Sequence, residues 1–131
     1  MAMHDPAEKS LIRMELRRFA SRCENQEGLV QRADTLRELA RLATIPLPYK
    51  LAEQHEAKDL QRHLLLAAEA RARDLIQERI DAYMRADPDH REKIKTQMFE
   101  DWTNLTGHLG HLRPWAKTRF DQAEQGGGLG L

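Results

Sequence analysis

The stretch PYKLAEQHEAKDLQRHLLLAAEARARDLIQERIDAYMRA, residues 48–86, decides the architecture of this chain. Apolar residues recur in it at Ala57, Leu60, Leu64, Ala68, Ala72, Leu75, Ile80 and Tyr83. The seven steps from 57 to 83 average about 3.7 residues, the period of a straight α-helix rather than the heptad of a left-handed coiled coil. No Gly or Pro interrupts residues 49–86, Pro48 suits an early helical position, and the Asp87-Pro88 pair supplies a stop. The spacing therefore predicts one helix of roughly 57 Å, whereas a compact domain of this size is only about 36 Å across. Ala67, Ala68, Ala70 and Ala72 form a small-residue seam that admits a partner helix closely. From length and seam together, an elongated bundle is expected, with a second copy packed along the long helix as a homodimer.

Working outward, Asp5-Pro6 has the form of a helix start, and Leu11, Ile12, Leu16, Phe19, Ala20 and Cys23 make one apolar face through about residue 24. Asn25-Gln26-Glu27-Gly28 reads as a break. A second helix then carries Leu29, Val30, Ala33, Leu36, Leu39, Ala40 and Ala43. Ile45-Pro46-Leu47-Pro48 is expected to be extended, because a residue before proline avoids the α region. Beyond the long helix, Asp87-Pro88 opens another with Ile94, Met98, Phe99, Trp102 and Leu105 on one side and Gly107 as its stop. A linker over 108–113 leads to Pro114 and a last short helix with Trp115, Ala116 and Phe120. The expectation is an all-α bundle of four to five helices, one domain over 1–125, and a flexible Gly-rich tail over 126–131.

The totals bound the function classes. Acidic and basic residues balance at 21 each, against the strongly basic profile of a general polyanion binder. The single Cys23 excludes an internal disulfide and fits a reducing, cytoplasmic setting. His4, Asp5, Glu8 and Lys9 precede any apolar run, so no secretory signal is read. No run of 18 apolar residues occurs, so no membrane span is expected.

Several constellations invite chemistry. His55, Asp59 and His63 line one helical stripe at i, i+4, i+8, a spacing that can hold a divalent metal but also that of a solvated face. Di-iron carboxylate bundles need Glu-x-x-His pairs, which are absent here. His108 and His111 form a second pair, in a Gly-containing loop. Arg13, Arg17, Arg18 and Arg22 form a basic patch interleaved with Glu15 and Glu24. Cys23 falls on an apolar face, where packing is the usual role of a thiol. No P-loop, nucleophile elbow or paired-cysteine zinc motif is present, and neither an enzyme nor a cofactor is expected.

Residues 35–54, TLRELARLATIPLPYKLAEQ, place Ala40 and Ile45 where a helix-turn-helix has its small residue and its turn hydrophobe. In those positions the stretch resembles that family. It departs from it at Thr44, where the motif has Gly, and at Lys50, where it has a buried aliphatic. The resemblance implies a DNA-binding regulator using about 34–62, with Arg37 and Arg41 near phosphates.

Most of the large aromatics lie near the C-terminus. Phe99, Trp102 and Trp115, flanked by Arg113 and Arg119, are the expected partner-binding residues, since Trp and Arg are frequent interface anchors. The leading expectation is a non-enzymatic helical interaction protein, an adaptor, chaperone-like or assembly factor, that self-associates through its long helix and binds an unknown protein partner. A DNA-binding regulator and a metal-binding helical protein are the alternatives.

Overall fold

The computed structural model describes residues 6–128, and every described regular element is helical. The elements are α1 (Pro6–Arg32), α2 (Leu36–Leu42), α3 (His55–Arg85), α4 (Pro88–Trp102) and α5 (Leu112–Gly128), with 3₁₀ turns at Tyr49–Leu51 and Gly107–Leu109. The all-α expectation holds, with a long central helix of 31 residues, about 46 Å.

The long helix starts later than its periodicity implies. Pro48 is extended, with φ −59° and ψ 143°, and a single 3₁₀ turn follows before Gln54 caps α3 in an extended conformation. Burial accounts for this: Leu51 is fully inside the core, whereas in a helix running straight from Pro48 it would lie about 120° round from the buried Ala57. Residues 44–48 have no regular structure, and Pro48 is extended, as expected within the 45–48 segment.

The predicted break at 25–28 is not a break. α1 runs unbroken through Gly28 to Arg32. A glycine inside a helix costs about 1 kcal/mol relative to alanine. Continuity keeps Phe19, Cys23 and Val30 on one buried face, which outweighs that cost. The expected second helix is divided at 33–35. Thr35 caps α2, its side chain accepting from the Glu38 backbone N–H at 3.1 Å. α4 likewise ends at Trp102, ahead of the expected Gly107 stop; Gly107 takes φ +54°, the left-handed region open to glycine, and starts the following 3₁₀ turn. α5 begins two residues before Pro114, which falls in a first turn where no N–H is needed. The expected tail is helical at Gly126, Gly127 and Gly128; Leu129, Gly130 and Leu131 lie outside the described residues, as does the expected cap at Asp5.

α3 is the spine. α1 runs parallel to its first half: Glu27 meets His63, and Arg71 Nε donates to the Ala33 carbonyl at 3.1 Å. α2 folds back along α1, held where Gln26 Nε2 donates to the Leu42 and Thr44 carbonyls at 2.9 and 3.1 Å. The second half of α3 is flanked by α4, antiparallel, and by α5, parallel: Arg119 bonds Gln77, and Tyr83 Oη donates to Glu124 Oε2 at 3.1 Å. One apolar core extends along the whole spine. Ala68 and Ala72 are fully buried within it and Ala67 is half-buried, so the chain's own helices cover that part of the small-residue seam, while Ala70 is exposed. The expectation of a second copy along α3 rests on its length and on this seam: at about 46 Å the helix is shorter than the periodicity implies but longer than a compact domain of about 36 Å, and the seam is covered only in part.

Candidate interaction site at the aromatic end

Phe120 is the centre of the aromatic end. It is buried on α5, and the rings of Tyr83, Phe99 and Trp102 surround it at centroid distances of 5.1, 5.2 and 6.1 Å. Tilted and edge-on arrangements such as these suit the ring quadrupoles. Phe99 and Trp102 project from one side of α4 because they are three residues apart, and their rings stand 5.2 Å from each other. Trp102 is only 6% exposed, so it is core. Phe99 and Trp115 are half-buried.

Cations cover the ring faces. Lys95 Nζ and Lys117 Nζ stand 5.8 and 5.4 Å from the Phe99 centroid, and both reach Phe120 at 5.7 Å. Trp115 lies near two guanidinium groups, Arg73 at 5.7 Å and Arg119 at 6.0 Å. Arg119 is held by Gln77, whose Oε1 accepts from Nε and Nη2 at 3.2 and 2.9 Å. Arg113 takes a different role: its Nη2 donates to the Thr103 carbonyl at 2.7 Å, joining the start of α5 to the end of α4. Burial and the hydrogen bond to Glu124 both push the Tyr83 phenol above its ordinary value, keeping it neutral inside the cluster.

Between α4 and α5 a shallow groove of about 220 Å³ remains, lined by Phe99, Trp102, Thr103, Arg113 and Lys117. Three of the five expected partner-binding residues, Phe99, Trp102 and Arg113, therefore meet at one opening. Trp115 and Arg119 do not line it; they pair with each other and with α3. Sequence reading missed Lys95 and Lys117, although Lys95 precedes Phe99 by four residues and Lys117 precedes Phe120 by three, both helix-neighbour spacings. Arg73 and Tyr83 carry no local signal, because only tertiary packing brings α3 to this end.

The other candidates separate. His55 Nε2 pairs with Asp59 Oδ2 at 3.7 Å on the surface, while His63 turns to Glu27 at 3.4 Å. Among the described residues no group of three His, Cys, Asp or Glu is arranged to hold a metal ion. His111 reaches the buried Glu69 at 3.5 Å and His108 does not share that contact. In the basic patch Arg18 pairs with Glu15 at 3.3 Å. Cys23 is buried, and burial pushes its thiol up more strongly than the neighbouring Arg22 lowers it, which disfavours the nucleophilic thiolate. Residues 35–54 do not form the two helices and tight turn of a helix-turn-helix: α2 ends at Leu42 and α3 begins at His55, with extended chain and a 3₁₀ turn between. Among the described residues no helix is long and apolar enough to cross a membrane. Comparison of the chain with protein-family models, with curated proteins and with solved structures gives no match.

Proposed function

We propose that this chain is a non-enzymatic helical interaction module that receives a segment of a partner protein in the Phe99–Trp102 groove. The observation that carries the reading is the groove's construction. Its floor is aromatic, its rim holds Arg113 and Lys117, and among the described residues no carboxylate lines it. Such a site suits a partner segment that presents one aliphatic or aromatic side chain next to an Asp or Glu. Trp102 acts as the rigid floor and Phe99 as the half-exposed contact. Lys117 already holds Asp121 at 2.9 Å, so an incoming carboxylate shares or replaces that partner.

Selection of random displayed peptides against the full chain tests this. Enrichment of an apolar residue beside an acidic one is expected, with amide shifts centred on residues 99–103 and 113–117. Joint replacement Arg113→Glu and Lys117→Glu should abolish those peptides and favour basic ones. Enriched peptides indifferent to that replacement would sink the proposal. Light scattering on the same variants adds a second arm: a concentration-dependent dimer that the charge reversal disrupts would make a second copy of the chain the partner.

A further inference from the structure

A second groove lies on the opposite half of the molecule, between the extended segment after α2, the first turns of α3 and the Gly107–Leu109 turn. It encloses about 410 Å³, within the size range of small-molecule sites. Pro46 and Leu65 give it an apolar wall, and Thr44 adds a hydroxyl. Lys58, Arg62 and His108 line the same space, and among the described residues no carboxylate lines it.

This convergence is unusual within the chain. His55, His63, His90 and His111 each stand within 3.8 Å of a carboxylate, at 3.7, 3.4, 3.8 and 3.5 Å. His108 has no such partner among the described residues. Lys58 and Arg62 have none either, and like charges one helical turn apart repel. Asp59, the nearest acid in sequence, is engaged by His55 on the outer stripe. The frame around these groups is fixed. Gln61 Nε2 donates to the Ile45 carbonyl at 2.9 Å and ties α3 to the extended segment. Leu105 and Leu109 are both buried, so the turn that carries His108 is anchored on both sides.

We propose that this groove binds a small phosphate monoester whose organic body rests on Pro46 and Leu65. An ammonium, a forked guanidinium and an imidazole arranged around one space match the charge and the tetrahedrally spread oxygens of a phosphate dianion, whereas a carboxylate carries one charge and holds its acceptors in a single plane. The site is separate from the aromatic groove and does not depend on it.

Titration of the full chain with phenyl phosphate, followed by amide NMR at an ionic strength of about 0.15 M, tests the assignment. Saturable shifts are expected at residues 44–47, 58–65 and 107–109. Joint Lys58→Gln and Arg62→Gln should weaken binding at least about tenfold, and His108→Gln about threefold. Inorganic phosphate, lacking the body, and benzoate, lacking the third oxygen, should each bind more weakly than phenyl phosphate. Equal binding by benzoate would overturn the phosphate assignment. Absence of saturation, shifts centred on the Arg13–Arg22 patch, or indifference to both sets of substitutions would overturn the site. His108→Gln changes a single exposed side chain, so its effect on binding decides between these outcomes if the double variant fails to fold.

Discussion

The two halves of α3 are packed by different chemistry. The first half lies against α1 and α2 through aliphatic and small side chains, Val30, Leu36, Leu39, Leu64 and Ala68 among them, with Phe19 as its aromatic. The second half is closed by Tyr83, Trp102 and Phe120 with half-buried Phe99 and Trp115, and among the described residues every cation–ring contact falls there. Small residues let helices approach closely and leave little between them. Large rings fill the space between α3, α4 and α5 and leave faces at the edge, which lysine and arginine stems cover. The difference explains why a groove with an aromatic floor occurs at one end, while the groove at the other is walled by proline and leucine.

The largest effect is expected from the centre of the aromatic end. Trp102→Ala removes a buried ring and should cost about 3–5 kcal/mol in chemical denaturation. Leu39→Ala, its counterpart in the aliphatic half, should cost about 2–5 kcal/mol. Because both halves share α3 and one core, each change should shift a single cooperative transition; a biphasic curve in either variant would divide the molecule at the middle of the spine. Trp115→Ala, which loses a half-buried ring flanked by two guanidinium groups, should cost less than Trp102→Ala.

Next comes the seam. Ala68→Leu forces a larger side chain between helices and should destabilise by about 1–3 kcal/mol. Since Ala68 is buried within one chain, the loss should not depend on protein concentration. A concentration-dependent loss would return the seam to an interface between copies.

Gly28→Ala should stabilise by about 0.5–1 kcal/mol. An added Cβ meets nothing nearer than Arg32 Nη1 at 3.7 Å, so the gain in helix propensity is unopposed. A destabilised variant would mean that α1 is bent or interrupted at this point in solution.

The smallest effect concerns Asp101. Burial raises its carboxyl above the ordinary 3.8, opposed in part by Arg79 and Asn104. The folded chain therefore holds this proton more tightly than the unfolded one. The associated stability is full below the ordinary value and is lost as pH rises through the raised one. Asp101→Asn removes that dependence, so its stability relative to the parent should increase from acid to neutral pH. A constant difference would place the carboxyl in water.

Much of the helical content is legible in the residues. The 3.6-residue period of α3, the Asp87-Pro88 boundary, the extended Ile45–Pro48 segment and the burial of Cys23 all follow from side-chain spacing and proline stereochemistry, which act locally and survive in any packing. The α2 cap was equally readable in Thr35-Leu36-Arg37-Glu38, whose Ser/Thr-x-x-Glu form marks a helix start. Tertiary structure decided the rest. Gly28 stayed helical because a continuous buried face outweighs one glycine, and α3 began at His55 because Leu51 was drawn into the core. Ala68 and Ala72 of the seam were covered by helices of the same chain, whereas Ala70 stayed exposed. Lys58, Arg62 and His108 share a groove although His108 lies 46 residues beyond Arg62, a meeting that the turn at Gly107 and the packing of Leu109 impose and no local spacing encodes.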